Sequence, residues 1–300
     1  MHRVIYQHPL AYLLGLEGVA LLHGWAGDYD REFVQARLAE VRRLLSDETL
    51  ANHPGVFVHR GDVATGYRQW SATYDDPRNA LFDLDEPIMH EILGTLPIGT
   101  VIDAACGTGR YAVHLAAQGH RVIGVDRSMD MLKRARASVP EGQFVLGDLR
   151  ELPLPDNAAD IVVCALALSH VPALEPVMAE FARVLRVGGH LVVSDIHHER
   201  VLLGSLVKAL APAGQPGVVA TYRHRTSDFI RAALPVGLQV RRCVEPGFSA
   251  GDERVPPAAE ITVMDWHEWP WSLMDLVPEA ASAAGKGPVT IVWHFQLASP

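Results

Sequence analysis

Between Leu10 and Leu45 apolar residues recur at helical spacing. Leu10, Leu13, Leu14, Val19, Leu21 and Leu22 cover most sides of a first helix, which predicts burial on several faces. In a second helix Val34, Leu38, Val41 and Leu45 form a cleaner inward stripe, with Arg31, Glu32, Arg37, Glu40, Arg42 and Arg43 on the other sides. Gly24, Gly27 and Asp28 suit the turn between them. Such a hairpin packs on a main domain, caps a pocket or joins two copies in a homodimer, and the pattern does not choose among these. A polar stretch, Ala51–Gly66, leads to Tyr67–Asp75 and to a helix near Glu86–Leu96.

From residue 99 the period changes. Short β-branched runs at Thr100–Ala104, Arg121–Asp126, Gln143–Gly147, Asp160–Ala165 and His190–Ile196 alternate with helical segments near Arg110–Gln118, Met129–Ala137 and Ala173–Leu185. Nearly continuous apolar strands separated by helices predict a parallel sheet covered on both faces. Ser128 stands at an N-cap position and Gly119 at a helix C-terminus. After Ile196 a lid-like region, Val201–Ala220, precedes a helix from Ser227 to Leu234, a strand Leu238–Val244, a loop rich in Pro, Gly and acid, and a last strand Val289–Leu297.

Composition narrows the class. With 300 residues, 49% apolar and 20% charged, the chain is long enough for a substantial core and is neither disordered nor fibrous. The net charge of −9 opposes binding to nucleic-acid phosphates or an anionic membrane surface, so neither partner is expected. Cys106, Cys164 and Cys243 are too few and too scattered for a disulfide framework or a zinc site. The apolar segment Leu10–Leu22 is interrupted by Glu17 and is shorter than a membrane span. A soluble, cytoplasmic protein without a bound metal is the expectation.

The first strand of the alternating region runs into Val-Ile-Asp-Ala-Ala-Cys-Gly-Thr-Gly (101–109). Gly107 and Gly109 permit a sharp strand-to-helix turn and a close ligand approach. Gly107, Gly109 and Ala112, with Asp126 ending the next strand, formally satisfy a dinucleotide fingerprint. Glycines alone therefore do not separate an NAD(P)-dependent oxidoreductase from a methyltransferase. Asp103 does, because a carboxylate four residues before Gly107 opposes a pyrophosphate and suits a ligand carrying an ammonium group. The same Asp also suits a plain role in capping loop amides.

Three further stretches are Val-Ile-Gly-Val-Asp-Arg-Ser-Met-Asp-Met-Leu (122–132), Gly-Asp-Leu-Arg-Glu-Leu-Pro-Leu-Pro-Asp (147–156) and Glu-Phe-Ala-Arg-Val-Leu-Arg-Val-Gly-Gly (180–189). In order and spacing, over roughly residues 65–200, the chain resembles the class I S-adenosylmethionine-dependent methyltransferases of the small-molecule group that includes the ubiquinone and menaquinone methylases. The resemblance implies a doubly wound, seven-stranded Rossmann-like α/β methyltransferase sheet whose last strand is antiparallel. To this are added an N-terminal helical extension over 1–60 and, within 61–300, lid or substrate insertions near 197–225 and 247–275. It implies S-adenosyl-L-methionine as cofactor and S-adenosyl-L-homocysteine as product. Asp126 would accept from the ribose hydroxyls, Asp148 and the Leu149 amide would face the adenine, and Arg127 and Met131 would border it. Gly107, Gly109 and Asp103 would line the methionine moiety. Tyr74 would close over the cofactor with Trp70 on the same helical face, or the two would simply pack in the core.

For chemistry, the resemblance points to His170 and Asp195 at two strand tips, the His as base and the Asp orienting it. The bland reading has His170 merely bordering the cofactor. His197 and His224 are candidate substrate contacts, His224 being also readable as a solvated loop residue. Trp266 and Trp269, with Trp271, either line an apolar acceptor pocket or anchor the final helix. The expected activity is O-methylation of a small organic molecule in secondary metabolism, of the kind found in bacterial antibiotic biosynthesis. N- or C-methylation relying on alignment alone, a nicotinamide oxidoreductase and a non-enzymatic cofactor-binding protein are the competing readings.

Overall fold

The computed structural model describes residues 4–61, 80–204, 206–210, 214–248 and 256–298. In chain order the strands are β1 (Ile5–Gln7), β2 (Val56–Gly61), β3 (Thr100–Ala104), β4 (Arg121–Asp126), β5 (Gln143–Leu146), β6 (Ala159–Ala165), β7 (Leu185–Ile196), β8 (Lys208–Leu210), β9 (Pro216–Val219), β10 (Leu238–Val244) and β11 (Thr290–Leu297). The helices are α1 (Pro9–Ala26), α2 (Arg31–Ser46), α3 (Glu48–Ala51), α4 (Phe82–Gly94), α5 (Arg110–Ala117), α6 (Met129–Ser138), α7 (Glu175–Val184), α8 (His198–Leu202), α9 (Thr226–Ala233), α10 (Trp271–Met274) and α11 (Pro278–Ala284). The chain divides into two compact units. The first gathers Met1–Gly61, Lys208–Val218 and Phe248–Gly287, and the second gathers Asp62–Val207, Val219–Gly247 and Pro288–Pro300.

The second unit is built on a seven-stranded sheet of order β10-β11-β7-β6-β3-β4-β5. β5, β4, β3, β6 and β7 pair in parallel, while β11 runs antiparallel to both β7 and β10. Chain order moves outward from β3 through β4 to β5 and then returns to β6, so the order reverses between β3 and β6. Open α/β sheets bind ligands outside the strand carboxyl ends at such a reversal. Alternate residues feed two cores. Ile102, Val162, Leu191, Val193, Trp293 and Phe295 face Phe181 of α7 and Phe229 of α9. Val101, Val163, Val192 and Val292 face Met89 of α4 and Tyr111 and Leu115 of α5. The Ser128 hydroxyl accepts the Met131 amide at 3.3 Å, capping α6.

The first unit contains features that hydrophobic spacing did not reveal. Parts of the polar stretch Ala51–Gly66 and of the lid-like region Val201–Ala220 form β2, β8 and β9, which join β1 in a second sheet of order β1-β2-β9-β8. On α1, Leu13, Leu16, Glu17 and Ala20 form one buried face, whereas Leu22 is 68% exposed, so the first helix is buried on one side rather than several.

Helix α2 is turned from its expected orientation. Arg37, Glu40 and Leu44 are buried, while Leu38 and Leu45 of the apolar stripe are exposed. The cause is electrostatic. Arg37 donates to Glu17 of α1 at 3.2 Å and to Glu279 of α11 at 2.7 Å, and Arg43 Nε donates to Glu40 at 3.0 Å. Once Glu17 lies on the buried face of α1, a guanidinium must accompany it, because an unpaired buried carboxylate is strongly unfavourable. Three carboxylates thus face two guanidiniums. Burial pushes Glu17 up to about 7, Arg37 and Arg43 opposing the rise and Glu40 and Glu279 adding to it.

Because Glu17 holds its proton more tightly folded than unfolded, its contribution is present at low pH and is lost as pH rises through about 7. Thermal midpoints measured from pH 5 to 8 should therefore fall by several degrees more for the native chain than for Glu17→Gln. Parallel curves for the two proteins would remove Glu17 as the cause.

Candidate functional site

The loops at the carboxyl ends of β3, β4, β5 and β6 border a cleft of about 800 Å³, counting the open solvent in its mouth. Its walls include Gly107, Asp126, Arg127, Met131, Asp148, Leu149 and His170. The first wall depends on an unusual backbone path. Ala105, Gly107 and Gly109 have φ of +60°, +54° and +94°. A side chain at Gly109 would lie 3.2 Å from Ala135, whereas one at Gly107 would meet nothing within 4 Å, leaving bare backbone toward the cleft. Leu166, which follows β6, is also left-handed at +53°, and its amide is held by the Ser194 carbonyl at 2.8 Å. Two non-glycine residues in this region, both in the cleft wall, are backbone strain concentrated at a site, each of roughly 1–2 kcal/mol.

Carboxylates dominate the electrostatics. Asp126 ends β4, and its two oxygens accept the Gly107 amide at 2.9 Å and the Ser128 amide at 2.8 Å, tying the first two loops together. Asp103, at the tip of β3, is buried, and its Oδ2 finds no hydrogen-bond partner among the described residues. Burial pushes its carboxyl up to about 7, with Arg110 and the Ala112 amide opposing the rise. Asp148 is the opposite case. Hydrogen bonds from Arg150, and Arg127 at 3.4 Å, hold it down at about 2. Each Asp148 oxygen already faces two donors, so an adenine amino group there would displace an arginine. Arg127, the basic residue of the described lining, is thus drawn toward Asp148.

The residues present fit S-adenosylmethionine. An apolar shelf of Met131 and Leu149, the side-chain-free surface at Gly107 and an acid at the β4 tip are groups that could receive a nucleoside. Asp103 Oδ2, without a hydrogen-bond partner among the described residues, suits a nearby ammonium group better than a pyrophosphate. Burial pushes the neighbouring Cys106 thiol far up, which removes it as a nucleophile.

His170 lies in the short turn Leu168–His170 after β6. Its Nδ1 is 3.0 Å from the Ala220 carbonyl, so this nitrogen carries the proton and Nε2 is the lone-pair nitrogen. Burial lowers the ring's pKa. Asp195 does not hold this ring in the expected way. Its carboxylate accepts the Ile196 amide at 2.9 Å and faces Ser169, and burial pushes it up to about 7. The orienting group for His170 is instead a main-chain carbonyl, which no side-chain pattern signals.

His224 is likewise relocated. It is buried, with Nε2 3.1 Å from the Leu168 carbonyl and 2.9 Å from that of Val171, so it clamps the turn carrying His170 instead of reaching a substrate. Buried His197 caps α8 by accepting the Glu199 amide at 3.4 Å, and its Nε2 lies 3.4 Å from Glu245. Trp266 and Trp269 belong to the first unit. Their indole N–H groups donate to Gln7 and to the Met264 carbonyl, and Lys208 fastens the Trp266, His267 and Trp269 carbonyls. That is anchoring geometry. Tyr74 and Trp70 lie outside the described residues. Among the described residues no three His, Cys or acidic side chains gather to hold a metal, and no helix is long and apolar enough to cross a membrane.

Known proteins resemble this chain over the same region. A methyltransferase domain model matches residues 102–193. The malonyl-[acyl-carrier protein] O-methyltransferase of Yersinia pestis is 32% identical over 48% of this chain and 53% of its own. The demethylmenaquinone methyltransferase of Renibacterium salmoninarum is 35% identical over 36% of this chain and 46% of its own. An uncharacterized methyltransferase of Synechocystis is 33% identical over 45% of this chain and 69% of its own. The chain spans about half the length of the first two. Among solved structures, an S-adenosylmethionine-dependent methyltransferase from Mesorhizobium loti superposes with a TM-score of 0.50 at 21% identity, covering 70% of this chain and 96% of that one. The DhpI–SAH complex gives 0.52 at 20% identity, covering 78% and 94%. These two share the fold. With the strand order, the acid-tipped β3 and β4 and the methyltransferase relatives in agreement, the chain belongs to the S-adenosylmethionine-dependent methyltransferase family.

Proposed function

We propose that the protein transfers a methyl group from S-adenosylmethionine to an oxygen of a small organic acceptor, with His170 as the base. The observation that carries this reading is His170 itself. It stands in the wall of the cofactor cleft with Nδ1 donating to the Ala220 carbonyl at 3.0 Å, which makes Nε2 the unprotonated nitrogen of the neutral ring. A neutral imidazole is what an acceptor hydroxyl needs, and burial keeps the ring neutral at physiological pH. The cofactor, when bound, supplies a methyl carbon already activated by its sulfonium. The chain's part is to align the acceptor oxygen and take its proton.

In this reading Asp126 receives the ribose hydroxyls, Met131 and Leu149 flank the adenine, and Gly107 backs the methionine end with Asp103 behind it. Arg127 borders the adenine edge, and Asp148 reaches it once an arginine gives way. Gly109 serves through its backbone alone, by keeping α5 close to Ala135. Asp195 holds the Ile196 amide at the end of β7 rather than the imidazole. Acceptor selection falls to residues outside the cleft described here. A secondary metabolite is the substrate class proposed, while the relatives' own acceptors, a malonyl-carrier ester and a demethylmenaquinone, belong to those proteins.

Calorimetric titration of the purified chain with S-adenosylhomocysteine, beside NADH and NADPH, should give micromolar binding of the first alone. Asp126→Ala should weaken that binding by tenfold or more, through lost ribose contacts and a loosened Gly107 loop. Binding of a nicotinamide nucleotide instead would overturn the cofactor assignment. On a panel of hydroxylated acceptors, His170→Ala should leave the S-adenosylhomocysteine affinity within about twofold and cut product formation 10²-fold or more. The native enzyme's acid limb should fall below pH 6.5, the direction burial imposes on the ring. Full turnover in His170→Ala would sink the base assignment.

A further inference from the structure

Asp85, in the first turn of α4, is completely buried on the α4–α5 side of the sheet and gathers donors from two other elements. Arg110 approaches end-on, Nη1 to Oδ1 at 3.0 Å and Nη2 to Oδ2 at 3.1 Å. The Tyr111 hydroxyl donates at 3.1 Å and the Ser194 hydroxyl at 2.7 Å. The Arg110 guanidinium also reaches Glu86 at 3.1 Å and lies 3.9 Å from the Phe82 ring centre and 4.4 Å from that of Tyr111. Its orientation is therefore fixed by a fork, a second carboxylate and two aromatic faces.

The positions of these donors in the chain matter more than their number. Arg110 and Tyr111 open α5 directly after Gly107 and Gly109, and Ser194 precedes Asp195 at the tip of β7. Resting on the family's cofactor, we propose that Asp85 is the positioning residue of the cofactor loop. Through Arg110 it holds the Ala105–Gly109 turn, and through Ser194 it locks that turn to the end of β7. Asp85 is outside the cleft wall, so it acts only through these partners. A buried ion pair adds little net stability over apolar packing of the same volume, and what this one supplies is direction. Held in place, the Arg110 charge also favours ionisation of Asp103, as a cationic ligand requires.

The test compares Asp85→Asn, Arg110→Lys and their double variant with the native chain. The measurements are S-adenosylhomocysteine affinity and amide hydrogen exchange without ligand. Asp85→Asn should weaken binding about tenfold and speed exchange at Cys106, Gly107 and Gly109, whose amides are bonded across the turn. Exchange at Val162 and Val192 in the sheet centre should stay unchanged. Arg110→Lys keeps the charge without the fork and should match this defect, and the double variant should be no worse than either single. Ser194→Ala, a milder change, should speed exchange in the same turn if Asp85→Asn fails to fold. Affinity within twofold of native and unaltered turn exchange would overturn the proposal, and so would faster exchange throughout the sheet. A native chain that binds no S-adenosylhomocysteine would overturn the cofactor assignment alone, because the exchange measurement needs no ligand.

Discussion

The turn from Ala105 to Gly109 is the constraint on which the second unit's site depends. A chain leaving a buried parallel strand and entering a helix within five residues must pass through left-handed backbone, and here it does so at three positions. The turn is secured from several sides. Cys106 donates to the Val125 carbonyl at 3.0 Å, Gly107 to the Asp126 carboxylate, and Gly109 to the Cys106 carbonyl at 2.9 Å. The first two bonds join the end of β3 to the end of β4, beside the reversal of strand order between β3 and β6. Position, charge and access in the cleft all follow from this one path.

Around it, the acids have unlike surroundings and hence unlike protonation. Asp148 is half-open and crossed by arginines, so it stays ionised. Asp103 and Asp195 are buried at the tips of β3 and β7 and are pushed up to about 7. The parity of β3 and β7 sends Asp103 toward the α5 side with Val101, and Asp195 toward the opposite side with Val193. Each side of the sheet thus carries one buried carboxyl of raised pKa at the carboxyl end of its strand.

Much of the second unit is legible in sequence because its signals are local. β3, β4 and β10 run as read to the residue, since β-branched runs end at Asp, Gly or Pro. β7 begins at Leu185, earlier than read, because Arg186, Gly188 and Gly189 interrupt its apolar run. The small sheet was invisible, its strands being three to six residues long and drawn from segments some 150 residues apart. Helix α2 misled for a different reason. Its moment is real, yet an ion-pair partner on another element decided which face turned inward. In the site, glycines and acids stood out by type, whereas His224 and His197 look identical in sequence whether they contact a ligand or a backbone carbonyl. The Ala220 carbonyl has no sequence signature at all.

The discontinuity of the first unit also has a temporal side. Its α1–α2 hairpin packs against α11, so the hairpin emerges from the ribosome long before its partner is made. At about 5–20 residues per second, the roughly 220 residues from Gly61 to α11 take on the order of ten seconds or more. Throughout that interval Glu17 and Arg37 lack Glu279, and the part of α1 that packs on α11 has nothing to cover it. The nascent chain thus carries an adhesive, half-made module ahead of the domain that its later segments complete, and chaperone capture during synthesis would act on this hairpin first.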